Sequence, residues 1–150
     1  MEYRKAEAAE AQQIWQLVQD TIKAVYPKYY LKDAVEFFCR LHSLDRIKAD
    51  IENGFVRVLT VDDSIVGTGT VSENHITRLF VLPEYQGKGC GSYIMSCIED
   101  EISPNFSTAC LDSSLPAARF YDKRGYKTVR HEEITAGDSI LVYEIMQRYL

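Results

Sequence analysis

The segment Ile76-Thr-Arg-Leu-Phe-Val-Leu82 leads through Pro83-Glu-Tyr85 into Gln86-Gly-Lys-Gly-Cys-Gly-Ser92, and apolar residues at helical spacing follow. That order dictates a strand, a tight turn and a helix. β-Branched and aromatic residues favour the pleated strand, and Gly87, Gly89 and Gly91 break it. Cys90, Ile94, Cys97 and Ile98 then mark one face of a helix from about Gly89 to Ile102, which Pro104 ends. A strand at Ser107 to Asp112 comes next, so the two strands need a right-handed crossover and should run parallel.

The rest of the chain arranges itself around this unit. Ile14, Leu17, Val18, Ile22 and Val25 form one stripe on a helix within residues 8 to 25, stopped by Pro27. Val35, Phe38, Cys39 and His42 repeat the helical period, and Ser43 caps a short helix closed by Asn53-Gly54. Three helical pieces are therefore expected before any strand. Strands at Phe55 to Val61, Ile65 to Ser72 and Ile76 to Leu82, joined by turns at Asp62-Asp63 and Glu73-Asn74, make an antiparallel meander. After the strand at 107 to 112 come a helix from about Pro116 to Arg124, a Gly125 C-cap, and strands at Tyr126 to His131 and Ser139 to Gln147. Gly67 and Gly69, inside a strand, mark a bulge or a close backbone approach. The expected architecture is a mixed-sheet α/β domain.

The chain's 150 residues form one domain, 1–150. At that size roughly 68–70% of the unfolded surface is buried, so neither metal nor disulfide is needed to hold the core. Seventeen Lys and Arg against 22 Asp and Glu give a net charge of −5, which argues against nonspecific nucleic acid or anionic membrane binding. The charged opening Met1–Glu7 has no apolar run behind it, so no signal peptide is expected, and no stretch approaches a membrane span. A cytoplasmic location with reduced thiols is the expectation. Cys39, Cys90, Cys97 and Cys110 lack a Cys-x-x-Cys pair and the three histidines are scattered, so no metal site is expected.

The glycine turn opens a helix, where backbone N–H groups of Gly87, Lys88, Gly89 and Gly91 have no intrahelical partner. With the helix dipole, and without side chains in the way, they can cradle phosphate. A dinucleotide fingerprint would need glycine where Ser92 stands, and the turn follows a meander instead of opening a βαβ unit. The Walker pattern fails as well, since no Gly-Lys-Ser/Thr follows at the required spacing. Two segments together are more specific. Gln86-Gly-Lys-Gly89-Cys-Gly91, after the strand Leu79-Phe-Val81, resembles the acetyl-CoA signature of the GNAT-type N-acetyltransferase superfamily, Arg/Gln-x-x-Gly-x-Gly/Ala. Ser114-Leu-Pro-Ala117-Ala-Arg-Phe120-Tyr121-Asp-Lys-Arg-Gly125-Tyr126 is similar to that family's downstream pattern of Asn, Ala, Phe/Leu-Tyr and Lys-x-Gly-Phe/Tyr.

The resemblance covers nearly the whole chain and implies a mixed, mostly antiparallel sheet with a V-shaped split and helices on both faces. It implies acetyl-CoA as co-substrate. The backbone of Phe80, Val81 and Leu82 would pair with pantetheine, and Gln86, Gly87, Lys88, Gly89, Gly91 and Ser92 would hold the phosphates. Ala117 and Phe120 match the downstream cofactor pattern. Ser114 stands where the family often has Asn, offering one hydroxyl in its place. Tyr121 matches the position many members use as general acid: a phenol with a pKa of about 10 can donate to a thiolate whose conjugate acid lies near 8.5. His75 stands where the family frequently has a Glu base, with Glu73 as rival. Cys90, on the buried stripe, is a small hydrophobe and not a nucleophile. His42 and His131 are read as structural or exposed.

The acceptor is expected against the first helices, at Tyr26 and Tyr30, where Tyr29, Phe37 and Phe38 also gather beside Asp20, Asp33 and Glu36. An aromatic and acidic wall there suits a cationic amine. The implied function is direct acetyl transfer to a primary amine of a small molecule or peptide. The alternative is a noncatalytic acyl-CoA-binding regulatory module on the same fold. Expected partners are the amine acceptor and a second copy of the chain as homodimer, with no nucleic acid and no membrane.

Overall fold

The computed structural model describes all 150 residues as one seven-stranded sheet with helices on both faces. In chain order the elements are β1 (Glu2–Lys5), α1 (Ala11–Val25), α2 (Lys32–Leu41), α3 (Leu44–Glu52), β2 (Val56–Val61), β3 (Ser64–Ser72) and β4 (His75–Val81). There follow α4 (Cys90–Ile102), β5 (Thr108–Ser113), α5 (Ala118–Lys123), β6 (Lys127–Ala136) and β7 (Ser139–Tyr149). The sheet order is β1-β2-β3-β4-β5-β7-β6. Every neighbouring pair is antiparallel except β4 and β5.

Local chemistry accounts for most boundaries. The α1 stripe buries Ile14, Leu17, Val18 and Ile22 against Val56, Val58 and Phe80. Ser43 caps α3, its hydroxyl accepting from the Arg46 amide at 3.2 Å. Asp62 and Asp63 both take positive φ in the two-residue turn between Val61 and Ser64, the geometry of a hairpin that follows strand twist. On the opposite face α4 lies close on β3. A Cβ at Gly69 would come within 2.8 Å of Ile98 Cδ1, and one at Gly67 within 2.9 Å of Ile94 Cδ1. The expected close approach is what these glycines serve.

Three expectations need correcting. A strand, β1, precedes the helices. It is a four-residue edge strand, mostly charged, that alternation alone does not reveal, and Arg4 ties it down through Glu10 at 2.6 Å. β6 runs on to Ala136 instead of ending at His131, because it is the outermost strand and its exposed charges hide the period. The helix expected from Pro116 is α5, preceded by a 3-10 turn at Leu115–Ala117.

The functionally important feature is a split. β4 and β5 pair only at His75↔Cys110 and Ile76↔Leu111. Beyond those positions β4 stays with β3 as far as Gly67↔Val81, and β5 stays with β7 as far as Ser113↔Glu144. The register between β3 and β4 shifts between Thr70 and Val71, which leaves Thr77 as an extra residue on β4. Such a bulge bends the strand and increases its twist. The sheet therefore opens as a V whose closed end lies at His75 and whose open end faces the glycine turn.

Candidate active site

The turn from β4 to α4 is an array of unused donors. No backbone hydrogen bond is made by the N–H groups of residues 87 to 92, and the first helical bond of α4 runs from the Tyr93 amide to the Gly89 carbonyl at 2.9 Å. Gly87 (φ 73°) and Gly89 (φ 86°) take the left-handed conformation, and nothing lies within 4 Å of a Cβ built at either. Open space and six consecutive free amides at the N-terminus of a 13-residue helix fit a polyphosphate. Lys88 supplies one cation, held over the Tyr85 ring at 5.5 Å. Ser92 is exposed beside it. Gln86 ties the turn to the end of β4, its amide donating to the Val81 carbonyl at 2.9 Å.

Alternation along β4 decides which backbone groups face the split. The Leu82 amide donates to the Val66 carbonyl on β3 at 2.9 Å. The peptide groups of Phe80 and Leu82 therefore serve β3, while those of Leu79 and Val81 turn to the open edge. Phe80 contributes its ring instead, buried against Tyr26 and His42 at centroid distances of 6.3 and 5.3 Å.

Across the split, Gly91 meets Phe120, 3.4 Å from a Cβ built there. Phe120 and Tyr121 pack edge to face at 5.2 Å, and Tyr121 does the same with Tyr126 at 5.8 Å. Tyr121 is 6% exposed, and its hydroxyl makes no hydrogen bond within the protein. Burial, with Tyr26 nearby, pushes the phenol well above its ordinary range, so it stays protonated. Tyr26 is itself pushed up to about 12 by burial and donates to the Ser114 hydroxyl at 3.4 Å. Tyr30 stands behind this wall and accepts from the Leu115 amide at 2.7 Å.

A cavity of about 550 Å³ joins these groups to the inner faces of α2 and α3. Tyr26, Phe80, Ser114, Ala117, Tyr121 and His75 all line it. At the closed end of the V, His75 Nε2 lies 3.4 Å from Asp112 Oδ1. Glu73 is left outside: it occupies the exposed turn before β4 with φ 56°. The acidic residues expected at the acceptor wall are engaged elsewhere. Asp20 accepts from Gln16, Asp33 accepts from the Asp138 amide at the β6–β7 turn, and Glu36 faces Lys32 on the surface. Cys90 is buried in the core against which α4 packs.

The sequence reading missed a polar cluster in the same cavity. Arg78, 5% exposed, donates to His42 Nδ1 at 3.1 Å, Thr70 Oγ1 at 3.0 Å and Asp50 Oδ2 at 3.0 Å. Burial, reinforced by Arg78 and Arg46, holds His42 neutral and brings its pKa down to about 3. One signal was available, since Arg78 is the one Lys, Arg, Asp or Glu in the strand Ile76 to Leu82.

Residues 9–146 match the acetyltransferase (GNAT) domain family. The chain superposes on a GCN5-related N-acetyltransferase from Rhodopseudomonas palustris with a TM-score of 0.91 at 20% identity, over 99% of this chain and 95% of that one. For the PaiA N-acetyltransferase of Thermoplasma acidophilum, in complex with coenzyme A, the score is 0.77 at 19% identity, with 99% and 98% covered. For YncA of Salmonella typhimurium, with its cofactor acetyl-CoA, it is 0.70 at 16% identity, with 100% and 94% covered. No curated protein matches the sequence. At such identities the superpositions speak for the fold, and the domain match over 9–146 speaks for descent. The split sheet, the amide-lined turn and that match agree, and the chain belongs to the GNAT acetyltransferase family.

Proposed function

We propose that the protein is an acyltransferase that moves an acetyl group from acetyl-CoA directly to the primary amine of a small molecule or peptide. The observation that carries this reading is the run of six partnerless amides, residues 87 to 92, opening beside a sheet split that Tyr121 faces. Two of the structural relatives are described with coenzyme A or acetyl-CoA.

When bound, acetyl-CoA supplies a thioester whose acyl carbon an amine can attack. The chain's part is positioning and proton traffic. Amides 87 to 92, with Lys88 nearby, hold the pyrophosphate by dipoles, which explains how an acidic protein keeps an anionic ligand. Val81 and Leu79 offer N–H groups on the free edge of β4 to the pantetheine arm and to the thioester carbonyl. Ser114, Ala117 and Phe120 close the other wall. Tyr121, protonated because it is buried, gives its hydroxyl proton to the departing sulfur. His75, at the closed end with Asp112 beside it, takes the proton that the amine loses as the C–N bond forms.

Tyr121→Phe tests the reading, since it removes the proton donor and keeps the ring. Acetyl-CoA affinity should stay unchanged while turnover falls roughly a hundredfold or more. Unchanged turnover would remove Tyr121 from the mechanism.

A further inference from the structure

We infer that the acceptor carries, besides its amine, a negatively charged group that Arg46 binds beside Arg78 on the α3 wall of the cavity, which makes it a small amino carboxylate or amino phosphate. The inference rests on the proposed acetyl transfer and names the substrate class of that site.

The charge inventory of the cavity argues for it. Its wall holds two guanidinium groups, Arg46 and Arg78, and two carboxylates, Asp50 and Asp112. Asp50 is committed to Arg78 at 3.0 Å, and Asp112 sits across the split beside His75. The imidazole of His42, which meets the Arg78 guanidinium, is neutral and offers no charge to either arginine. Arg46 is exposed and makes no ion pair or side-chain hydrogen bond, although Asp and Glu outnumber Lys and Arg in the chain by 22 to 17. A guanidinium has five N–H donors. Three of those on Arg78 are used, within a side chain 4% exposed, and its Nη1 and Nη2 each retain one. Like charges gathered on a partly dry wall repel one another, and an anion between them reverses the sign. Planar guanidinium forks match carboxylate and phosphate oxygens.

The layout also gives the acceptor a direction. Arg78 and Phe80 stand on one face of β4, about 7 Å apart along the strand. Phe80 packs on Tyr26, which leads to Ser114 and the Tyr121 side of the cavity. Asp112 marks the split, where the amine binds as an ammonium that gives one proton to solvent before it attacks as the free base, and Arg46 marks the α3 wall, where an anion is welcome. A zwitterion satisfies both at once.

Initial rates of thiol release from acetyl-CoA, measured on the full chain with matched acceptor pairs, test this. The pairs are amino acids against their amides, and phosphoethanolamine against ethanolamine. In at least one pair the anionic member should show kcat/KM roughly tenfold or more above its neutral mate, and which pair does so distinguishes carboxylate from phosphate. Arg46→Gln should abolish that preference by raising KM for the anionic member with little change in kcat, and Arg46→Lys should restore part of it. Equal or faster turnover of the neutral members, or a preference untouched by Arg46→Gln, overturns the inference. Acetyl-CoA binding with no turnover of any anionic amine overturns it too and leaves the cofactor reading standing. Absence of acetyl-CoA binding overturns both.

Discussion

His42 shows how much one buried side chain constrains. It is 8% exposed, and its Nδ1 accepts from Arg78, so the ring proton sits on Nε2. Burial first, then the two guanidinium groups, bring its pKa down to about 3, whereas an unfolded histidine titrates near 6.5. Below about pH 6.5 the unfolded chain therefore takes up a proton that the folded chain refuses, and stability declines from there towards pH 3. The urea midpoint should fall between pH 7 and pH 5, and His42→Gln should flatten that decline. A midpoint independent of pH over this interval in the wild-type protein contradicts the assignment. None of this was legible in the sequence. Arg78 lies 36 positions away, and only the fold brings the two together. Tyr121 could be singled out in the sequence because a motif surrounds it in the chain, and the fold places it on the cavity wall.

Between elements, Glu99 is the joint that fixes α4 to the far side of the split. Its carboxylate accepts from Arg124 Nε at 2.9 Å and Nη2 at 2.7 Å, from the Tyr126 hydroxyl at 2.9 Å, and from Arg148 on β7 at 3.1 Å. Burial pushes this carboxyl up, but bonds from Arg124 and Tyr126 outweigh it and hold the group below the usual range. Glu99→Ala leaves the partly exposed Arg124 and Arg148 and the fully buried Tyr126 hydroxyl without their acceptor, and a loss of about 1–3 kcal/mol in equilibrium unfolding is expected. A loss below about 1 kcal/mol would show that α4 is held by apolar packing alone. Elements with a regular apolar stripe or a continuous apolar run, such as α1, α4 and β2 to β4, were legible from the residue pattern to within three residues at each end. β1 and the outer half of β6 were not, because an edge strand buries little and alternation has nothing to report.

For the whole molecule, net charge and ligand chemistry looked opposed and are reconciled by geometry. A chain with a net charge of −5 offers a polyphosphate no general attraction. The glycine turn concentrates six backbone dipoles at one helix end instead. Its place after β4 was readable from the glycine spacing, and so was the parallel β4–β5 pair. The sequence reading also expected an acidic acceptor wall, and the folded chain puts Asp20, Asp33 and Glu36 to other uses and presents Arg46 and Arg78 in the cavity. Local motifs reveal what one segment does, whereas the cavity is assembled from α2, α3, α5 and strands β3 to β7, and no single stretch encodes its charge. The central claim is that the turn binds acetyl-CoA. It is tested most directly by titrating acetyl-CoA into the protein and into Gly89→Val, whose branched side chain is strained at φ 86° and fills the open cradle. The account predicts saturable one-to-one binding to the wild-type chain and an affinity at least about tenfold weaker for the variant, roughly 1.4 kcal/mol. No binding to the wild-type chain at millimolar acetyl-CoA, or equal affinity for the two proteins, would contradict it.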